Sequence, residues 1–205
     1  KATPSIATPS ASEKLSAAIN DEDSMIELLN AAKVQASDDN DVRLCAHLPA
    51  EADTEALGAA LAPLLRPRLN IWLLGNLGMG KTTLTRGLLR ALGHEGKVKS
   101  PTYTLIEPYV VSRLNLYHFD FYRFNSPEEY LDAGLDEYFA DQGVCIVEWP
   151  QKALPHLPSP DLEIQLEVRD GGRFVEIYGH TDAGRTCVTE LMKALRAIGP
   201  TLTAD

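Results

Sequence analysis

The pattern of hydrophobic and polar positions predicts alternating strands and helices that start near residue 42. Alternation with a period of two over residues 42–48 is typical of a half-buried strand, whereas leucines at helical spacing over 54–65 indicate a helix. Short, mainly apolar runs at 70–74 and 144–147 indicate buried strands. The rest of the pattern predicts, in chain order, a helix over 81–92 that ends at Gly93, strands over 104–110 and 114–121, a helix that starts at Ser126, a hairpin of strands 162–168 and 174–178, and a last helix with an apolar face over 188–195.

Composition and charge indicate which parts of the chain form a folded domain. The 205 residues are 44% hydrophobic, which suffices for one domain with a buried core. We expect residues 1–40 to be a flexible appendage (a linker, an expression remnant or a regulatory tail) with one short helix over 24–32, and residues 41–205 to be a single domain. The formal net charge of −10 argues against direct binding of nucleic acid, whose phosphates need clustered Lys and Arg.

The sequence also bears on the cellular compartment. No apolar run approaches the ~18 residues of a membrane span. Three widely spaced cysteines fit neither a disulfide framework nor a zinc site. We therefore expect a cytoplasmic protein without a membrane partner, because reduced thiols are typical of that compartment.

Residues 75–82, Gly-Asn-Leu-Gly-Met-Gly-Lys-Thr, match the phosphate-binding P-loop pattern G-x-x-x-x-G-K-[ST]. A predicted buried strand precedes the loop and a helix follows it, which is the context that the motif requires. The glycines let successive N–H groups point at phosphate oxygens, and the helix N-terminus adds a positive dipole end. Lys81 would reach the β- and γ-phosphates, the Thr82 hydroxyl would bind Mg²⁺, and Thr83 would contact the α-phosphate. The candidate phosphate-binding residues are therefore Gly75, Asn76, Leu77, Gly78, Met79, Gly80, Lys81, Thr82 and Thr83.

A P-loop site also needs an acidic group for the metal and a group that positions the attacking water. Glu148 directly follows the apolar strand 144–147, which favours such a role over that of an ordinary strand-end carboxylate. Asp120 is the rival for positioning the water, because it comes at the end of the stretch Leu116-Tyr117-His118-Phe119 and lies within the aromatic-rich run over 117–123. His118 in this run fits a core position as well as a functional one.

Residues 100–104 lie where P-loop proteins often carry a hydroxyl that senses the γ-phosphate. Thr102 and Thr104 are the candidates for this hydroxyl. A Ser-Pro turn that opens a strand explains the segment equally well.

Four motifs in one order resemble the TsaE (YjeE) family, the bacterial ATPases of the tRNA threonylcarbamoyladenosine pathway. They are the P-loop over 75–83, Ser-Pro-Thr-Tyr-Thr-Leu at 100–105, His-Phe-Asp-Phe-Tyr-Arg at 118–123 and Val-Glu-Trp-Pro at 147–150. The resemblance covers about residues 42–196. Together with the pattern of elements, it implies an α/β fold, a P-loop NTPase-like three-layer sandwich with a mainly parallel central sheet and an added antiparallel hairpin.

The resemblance also implies roles for individual residues. ATP would be the nucleotide, and Thr82 and Glu148 would bind Mg²⁺. Asn76 and Met79 stand where the family often has Asp and Ala, at positions that offer mainly backbone N–H groups. The catalytic candidates are Glu148, Asp120, Thr102 and Trp149. Glu51, Gly172 and Arg173 resemble the flanks of the family's nucleotide site.

The function that the resemblance implies is that of an accessory ATPase in the modification of ANN-decoding tRNA. Such a protein would hydrolyse ATP weakly alone and faster with a TsaB–TsaD complex, which would hold the tRNA. Two alternatives remain open. One is a small-molecule kinase, for which the scattered Arg113, Arg123 and Arg173 make a poor lid. The other is a nucleotide-dependent binding module that hydrolyses ATP too slowly to matter.

Overall fold

The computed structural model describes residues 42–111, 114–169 and 171–198. The predicted appendage over 1–40, its short helix over 24–32 and Arg113 lie outside these ranges. Within them, none of the helices combines the length and apolar content that crossing a membrane requires.

The elements appear in the predicted order. The strands are β1 (Arg43–Leu48), β2 (Asn70–Leu74), β3 (Ile106–Val111), β4 (Leu114–Asp120), β5 (Val144–Glu148), β6 (Leu162–Arg169) and β7 (Gly172–Gly179). The α-helices are α1 (Glu51–Leu61), α2 (Lys81–Ala91), α3 (Glu129–Asp132), α4 (Asp136–Ala140) and α5 (Asp182–Ile198). Single 3-10 turns lie at Ala62–Leu64 and Pro150–Lys152.

The helix predicted from Ser126 is instead two short helices, α3 and α4. Gly134 separates them with a φ of 65°, the left-handed conformation that ends a helix. The carboxylate of Glu129 accepts hydrogen bonds from the N–H groups of Asn125 and Ser126, so the chain turns before the first helix begins. Helix α2, by contrast, ends where the sequence predicted, because Gly93 has a φ of 91°.

The seven strands form one sheet in the order β1-β7-β6-β2-β5-β4-β3. The four central strands β6, β2, β5 and β4 are parallel, whereas the pairings of β3 with β4, of β6 with β7 and of β7 with β1 are antiparallel. The predicted α/β fold with a parallel centre and an added hairpin is confirmed. Although it comes first in the chain, β1 does not belong to the parallel centre. The β6–β7 hairpin separates it from β2 and places it at an edge.

Two hydrophobic cores cover the two faces of the sheet. Along β5, Val144 and Ile146 pack into one core with residues of α1, α2 and α5. The alternate residues Cys145 and Val147 pack into the other core with residues of α3 and α4. This alternation is the period of a strand that is buried on both faces, and it gives the three layers of the sandwich.

Helices α1 and α2 approach each other through glycines. A Cβ atom on Gly58 of α1 would meet the backbone carbonyl of Leu84 and would lie 2.9 Å from the backbone nitrogen of Leu88, both in α2. Gly87 of α2 faces the backbone of Glu55 in α1 in the same way. Because backbone meets backbone on both sides, α1 fixes the position of the helix that follows the P-loop.

Candidate functional site

The loop between β2 and α2 has the backbone that its glycines predicted. Gly75, Gly78 and Gly80 have φ angles of 135°, 79° and 102°, which other residues rarely adopt. Gly80 is the residue directly before the first turn of α2. The loop therefore curls from the carboxyl end of a central strand into a helix N-terminus, the geometry that binds phosphate groups.

Lys81 is 4% exposed and lies between the loop and an aromatic ring. Its Nζ atom donates hydrogen bonds to the carbonyl oxygens of Gly75 and Asn76 at 2.7 and 2.9 Å. The same ammonium lies 4.5 Å from the centre of the Trp149 ring, a cation–π contact. The pKa of Lys81 is lowered from its ordinary value because burial disfavours the charged ammonium. The negative charges of Glu148 and Asp120 offset only part of this effect.

The last residue of β5, Glu148, connects the P-loop helix to the neighbouring strand. Its side chain is almost fully buried, and its Oε1 atom accepts a hydrogen bond from the Thr82 hydroxyl at 2.7 Å. The same oxygen lies 3.0 Å from Nε2 of His118 in β4. His118 is thus part of the site, which the sequence left undecided.

The oxygen atoms of Thr82 and Glu148 fit a site for Mg²⁺. Magnesium is usually held by one or two protein oxygens together with waters and substrate phosphates, not by an all-protein cage. Within the described ranges, no three or more His, Cys, Asp or Glu side chains are grouped so that they could bind a metal by themselves. A hydroxyl and a carboxylate in direct contact beside a phosphate-binding loop are the donors that this arrangement needs.

Asp120 pairs in register with Glu148 across β4 and β5. Its Oδ2 atom accepts hydrogen bonds from the Ser100 hydroxyl and, at 2.7 Å, from the Thr102 hydroxyl. Its Oδ1 atom accepts from the backbone N–H of Tyr122 at 2.9 Å. Of the two threonine candidates, the structure brings Thr102 into the site and leaves Thr104 exposed outside it.

These side chains line a cavity of about 390 Å³. The predicted residues in its lining are Leu77, Gly78, Met79, Gly80, Lys81, Thr82, Thr83, Thr102, Asp120, Glu148 and Trp149. The lining also includes four residues that the sequence did not single out for the site, namely Ser100, Tyr103, Tyr122 and Arg123.

The predicted flanking residues lie behind the loop, outside the cavity lining. Arg173 of β7 donates from Nε to the carbonyl oxygen of Met79 at 2.9 Å and so supports the loop. Glu51 accepts a weak hydrogen bond from Thr83 at 3.4 Å and pairs with Arg86 at 3.3 Å. Gly172 packs tightly against the backbone that follows β1. None of the three residues borders the cavity, and of the three only Arg173 donates a hydrogen bond to the loop itself.

Aromatic side chains border the mouth of the cavity. Trp149 has a φ of 59°, a left-handed conformation that turns the chain directly after Glu148. Its ring lies 5.0 Å from that of Tyr122, and the guanidinium of Arg123 lies 4.1 Å from the ring centre of Tyr103. The aromatic run over 117–123 was the sequence signal for Tyr122 and Arg123, but it does not indicate which of its members face the cavity.

The chain is similar to known proteins in both sequence and fold. The family model described as Threonylcarbamoyl adenosine biosynthesis protein TsaE matches residues 48–177, a range that includes every predicted site residue. The tRNA threonylcarbamoyladenosine biosynthesis protein TsaE of Haemophilus influenzae is 37% identical over 151 residues, which are 71% of this chain and 96% of the relative. The protein of the same name from Bacillus subtilis is 43% identical over 115 residues, which are 56% of this chain and 72% of the relative. The crystal structure of Bacillus subtilis YdiB has a TM-score of 0.65 and 32% identity, with coverage of 75% of this chain and 96% of that chain.

Proposed function

The chain belongs to the TsaE family of threonylcarbamoyl adenosine biosynthesis proteins, and from this premise we propose that it is an Mg²⁺-dependent ATPase of tRNA threonylcarbamoyladenosine biosynthesis. The observation that carries the proposal is the contact between Thr82 and Glu148 at 2.7 Å. It joins a P-loop to the carboxylate of a neighbouring parallel strand in one cavity. This is the combination of groups that nucleoside triphosphate hydrolysis needs.

Each group of the cavity has a task in the proposed reaction. The N–H groups of the loop and the ammonium of Lys81 bind the phosphates, and Thr82 and Glu148 hold Mg²⁺. When bound, Mg²⁺ neutralises phosphate charge that develops during transfer. To reach the nucleotide, Lys81 exchanges its two carbonyl partners in the loop for phosphate oxygens, and its cation–π contact with Trp149 keeps it nearby.

Two carboxylates are available to position the attacking water. Both oxygens of Asp120 already accept hydrogen bonds, from Ser100, Thr102 and the backbone of Tyr122. The carboxylate of Glu148 makes its side-chain hydrogen bonds to other described residues through Oε1, so its second oxygen is free to act in the cavity. This difference favours Glu148 for contact with water and Asp120 for holding the 100–102 segment against the site.

The proposed partner is a TsaB–TsaD complex, which would bind the tRNA itself. The names of the relatives support the pathway, and the net charge of −10 fits a chain that does not bind tRNA directly. The same role places the protein in the cytoplasm, without a membrane partner.

Phosphate release from ATP and Mg²⁺ tests the proposal, measured with the protein alone and with an added TsaB–TsaD complex. We expect slow release alone and strong stimulation by the complex, with both lost in Lys81→Ala. Transfer of the phosphate to an added metabolite would contradict the proposal and support a kinase. Full tRNA modification by Glu148→Gln would instead support a binding module in which hydrolysis is dispensable.

A further inference from the structure

We propose that His118 is a positioning residue that holds one oxygen of Glu148 and thereby presents the other oxygen to the bound metal and water. The inference rests on the function proposed above. His118 has no exposed surface, and its Nε2 atom lies 3.0 Å from Oε1 of Glu148. No motif or composition signal assigned this task to it.

His118 lies in β4 between the hydrophobic core and the candidate site. Residues two apart in a strand share a face, so Leu116, His118 and Asp120 follow one another on the same side of the sheet. Leu116 belongs to the hydrophobic core, and Asp120 borders the cavity. A hydrophobic residue would fill the middle position as well as histidine does, so packing alone does not explain the imidazole.

The hydrogen bonding of the imidazole ring indicates that its role is to contact Glu148. An ionised carboxylate only accepts hydrogen bonds, so Nε2 of His118 is the donor. The other ring nitrogen, Nδ1, is buried without a hydrogen-bond partner among the described residues. Leaving a buried polar atom unpaired is unfavourable, and the contact with Glu148 is the interaction that offsets it.

The contact matters because Thr82 and His118 share one oxygen of Glu148. Both donors are directed to Oε1, at 2.7 Å from the Thr82 hydroxyl and 3.0 Å from Nε2 of His118. A hydroxyl that gave a lone pair to Mg²⁺ would still have its proton to donate, so Thr82 and His118 would hold Oε1 together. Because the contact of His118 with Oε1 does not involve the metal, it would fix this oxygen in either case and leave Oε2 available to the metal and water.

Variants of His118 that differ in reach test the proposal. Glutamine places an amide N–H close to the position of Nε2, whereas asparagine is too short to reach Glu148. Leu116→Val is the matched control, because it alters the same face of β4 without contacting Glu148. Thermal unfolding of all three variants identifies any loss of stability.

We expect His118→Asn to lower kcat about 10- to 100-fold, the usual effect of removing a group that orients a metal ligand. KM for ATP should change by no more than about two-fold, because the P-loop contacts stay intact. Calorimetric titration should show unchanged nucleotide affinity without Mg²⁺ and a Mg²⁺ requirement raised about ten-fold. His118→Gln should recover most of each loss, and Leu116→Val should retain the kcat of the parent protein.

Several results would overturn the proposal. The proposal is wrong if His118→Asn keeps the kcat and the Mg²⁺ requirement of the parent protein. It is also wrong if Leu116→Val loses as much kcat as His118→Asn does. Failure of His118→Gln to exceed His118→Asn would also contradict it. If His118→Asn does not fold, nitrogen NMR of the nucleotide-free parent protein decides. The proposal requires a proton on Nε2 of His118 whose resonance shifts in Glu148→Gln, and an unchanged resonance would refute it.

These measurements separate the two proposals. Absence of ATP hydrolysis by the parent protein with its partner complex would refute the proposed function. The NMR contact and the calorimetric Mg²⁺ requirement would still test His118, because neither depends on turnover.

Discussion

Replacement of Gly58 by alanine should destabilise the protein, although alanine is the better helix former. In an unobstructed helix interior the exchange stabilises by about 1 kcal/mol. At Gly58 the new Cβ would meet the backbone of Leu84 and would lie 2.9 Å from the nitrogen of Leu88. Neither atom belongs to a side chain that could rotate away, so helices α1 and α2 must move apart.

The cost of that movement exceeds the gain in helix propensity. Overpacking a tight contact costs about 1–3 kcal/mol, and a contact between two backbones lies at the upper end of that range. The net loss is therefore about 2 kcal/mol. For a domain of this size each kcal/mol shifts Tm by about 2–4 °C, so Gly58→Ala should lower Tm by roughly 4–8 °C.

Calorimetric melting measures the effect directly. Ala52→Gly, at an exposed position of the same helix, calibrates the intrinsic difference between the two residues. ATP affinity should fall along with stability, because Leu84 and Leu88 belong to the helix that begins at Lys81. A Tm of Gly58→Ala equal to or above that of the parent protein would refute the reasoning.

Four further outcomes follow from the site and the core. Lys81→Ala should lower ATP affinity at least about ten-fold, because a charge-assisted contact is worth about 1.5–3 kcal/mol, and calorimetry showing normal affinity would contradict the site. Glu148→Gln should bind ATP normally but release phosphate about 10- to 100-fold more slowly in a single turnover, and an unchanged rate would assign the role to the other carboxylate of the cavity. Arg173→Lys should weaken ATP binding by about five-fold, because the short Nε donor to the Met79 carbonyl is lost while the charge remains, and unchanged affinity would show that charge alone matters. Burial raises the pKa of Cys187 to about 12, so iodoacetamide at pH 8 should modify it only after denaturation, and mass spectrometry would detect any modification of the native protein.

The parts of the site that the sequence predicted are those whose signals are local. The loop from Gly75 to Thr82 carries its phosphate-binding geometry in its own glycines. Glu148 was indicated by the apolar strand directly before it. Gly93 marked the end of α2 because a positive φ is a property of a single residue. Each prediction needed only the neighbouring residues along the chain.

The parts that the sequence did not predict depend on contacts between distant segments. Arg173 was expected at the flank of the site, but its contact with the Met79 carbonyl was not, because the two are 94 residues apart and only the strand order brings β7 to the back of the loop. The contact of His118 with Glu148 spans 30 residues and depends on the register between β4 and β5. The edge position of β1 likewise follows from its pairing with β7, since alternation of hydrophobic residues indicates a strand but not its neighbour.

The contact between Trp149 and Lys81 has a practical consequence for studying the protein. The chain has two tryptophans, and only Trp149 lies over the ammonium of the P-loop lysine, at 4.5 Å. Indole fluorescence responds to nearby charge and to solvent, so a ligand that draws Lys81 away changes the emission of Trp149. Because Trp72 lies partly buried on β2 and does not line the cavity, Trp72→Phe would leave a single emitter at the site. The protein thus carries its own optical reporter of nucleotide occupancy, and unmodified ATP can be titrated against unlabelled protein.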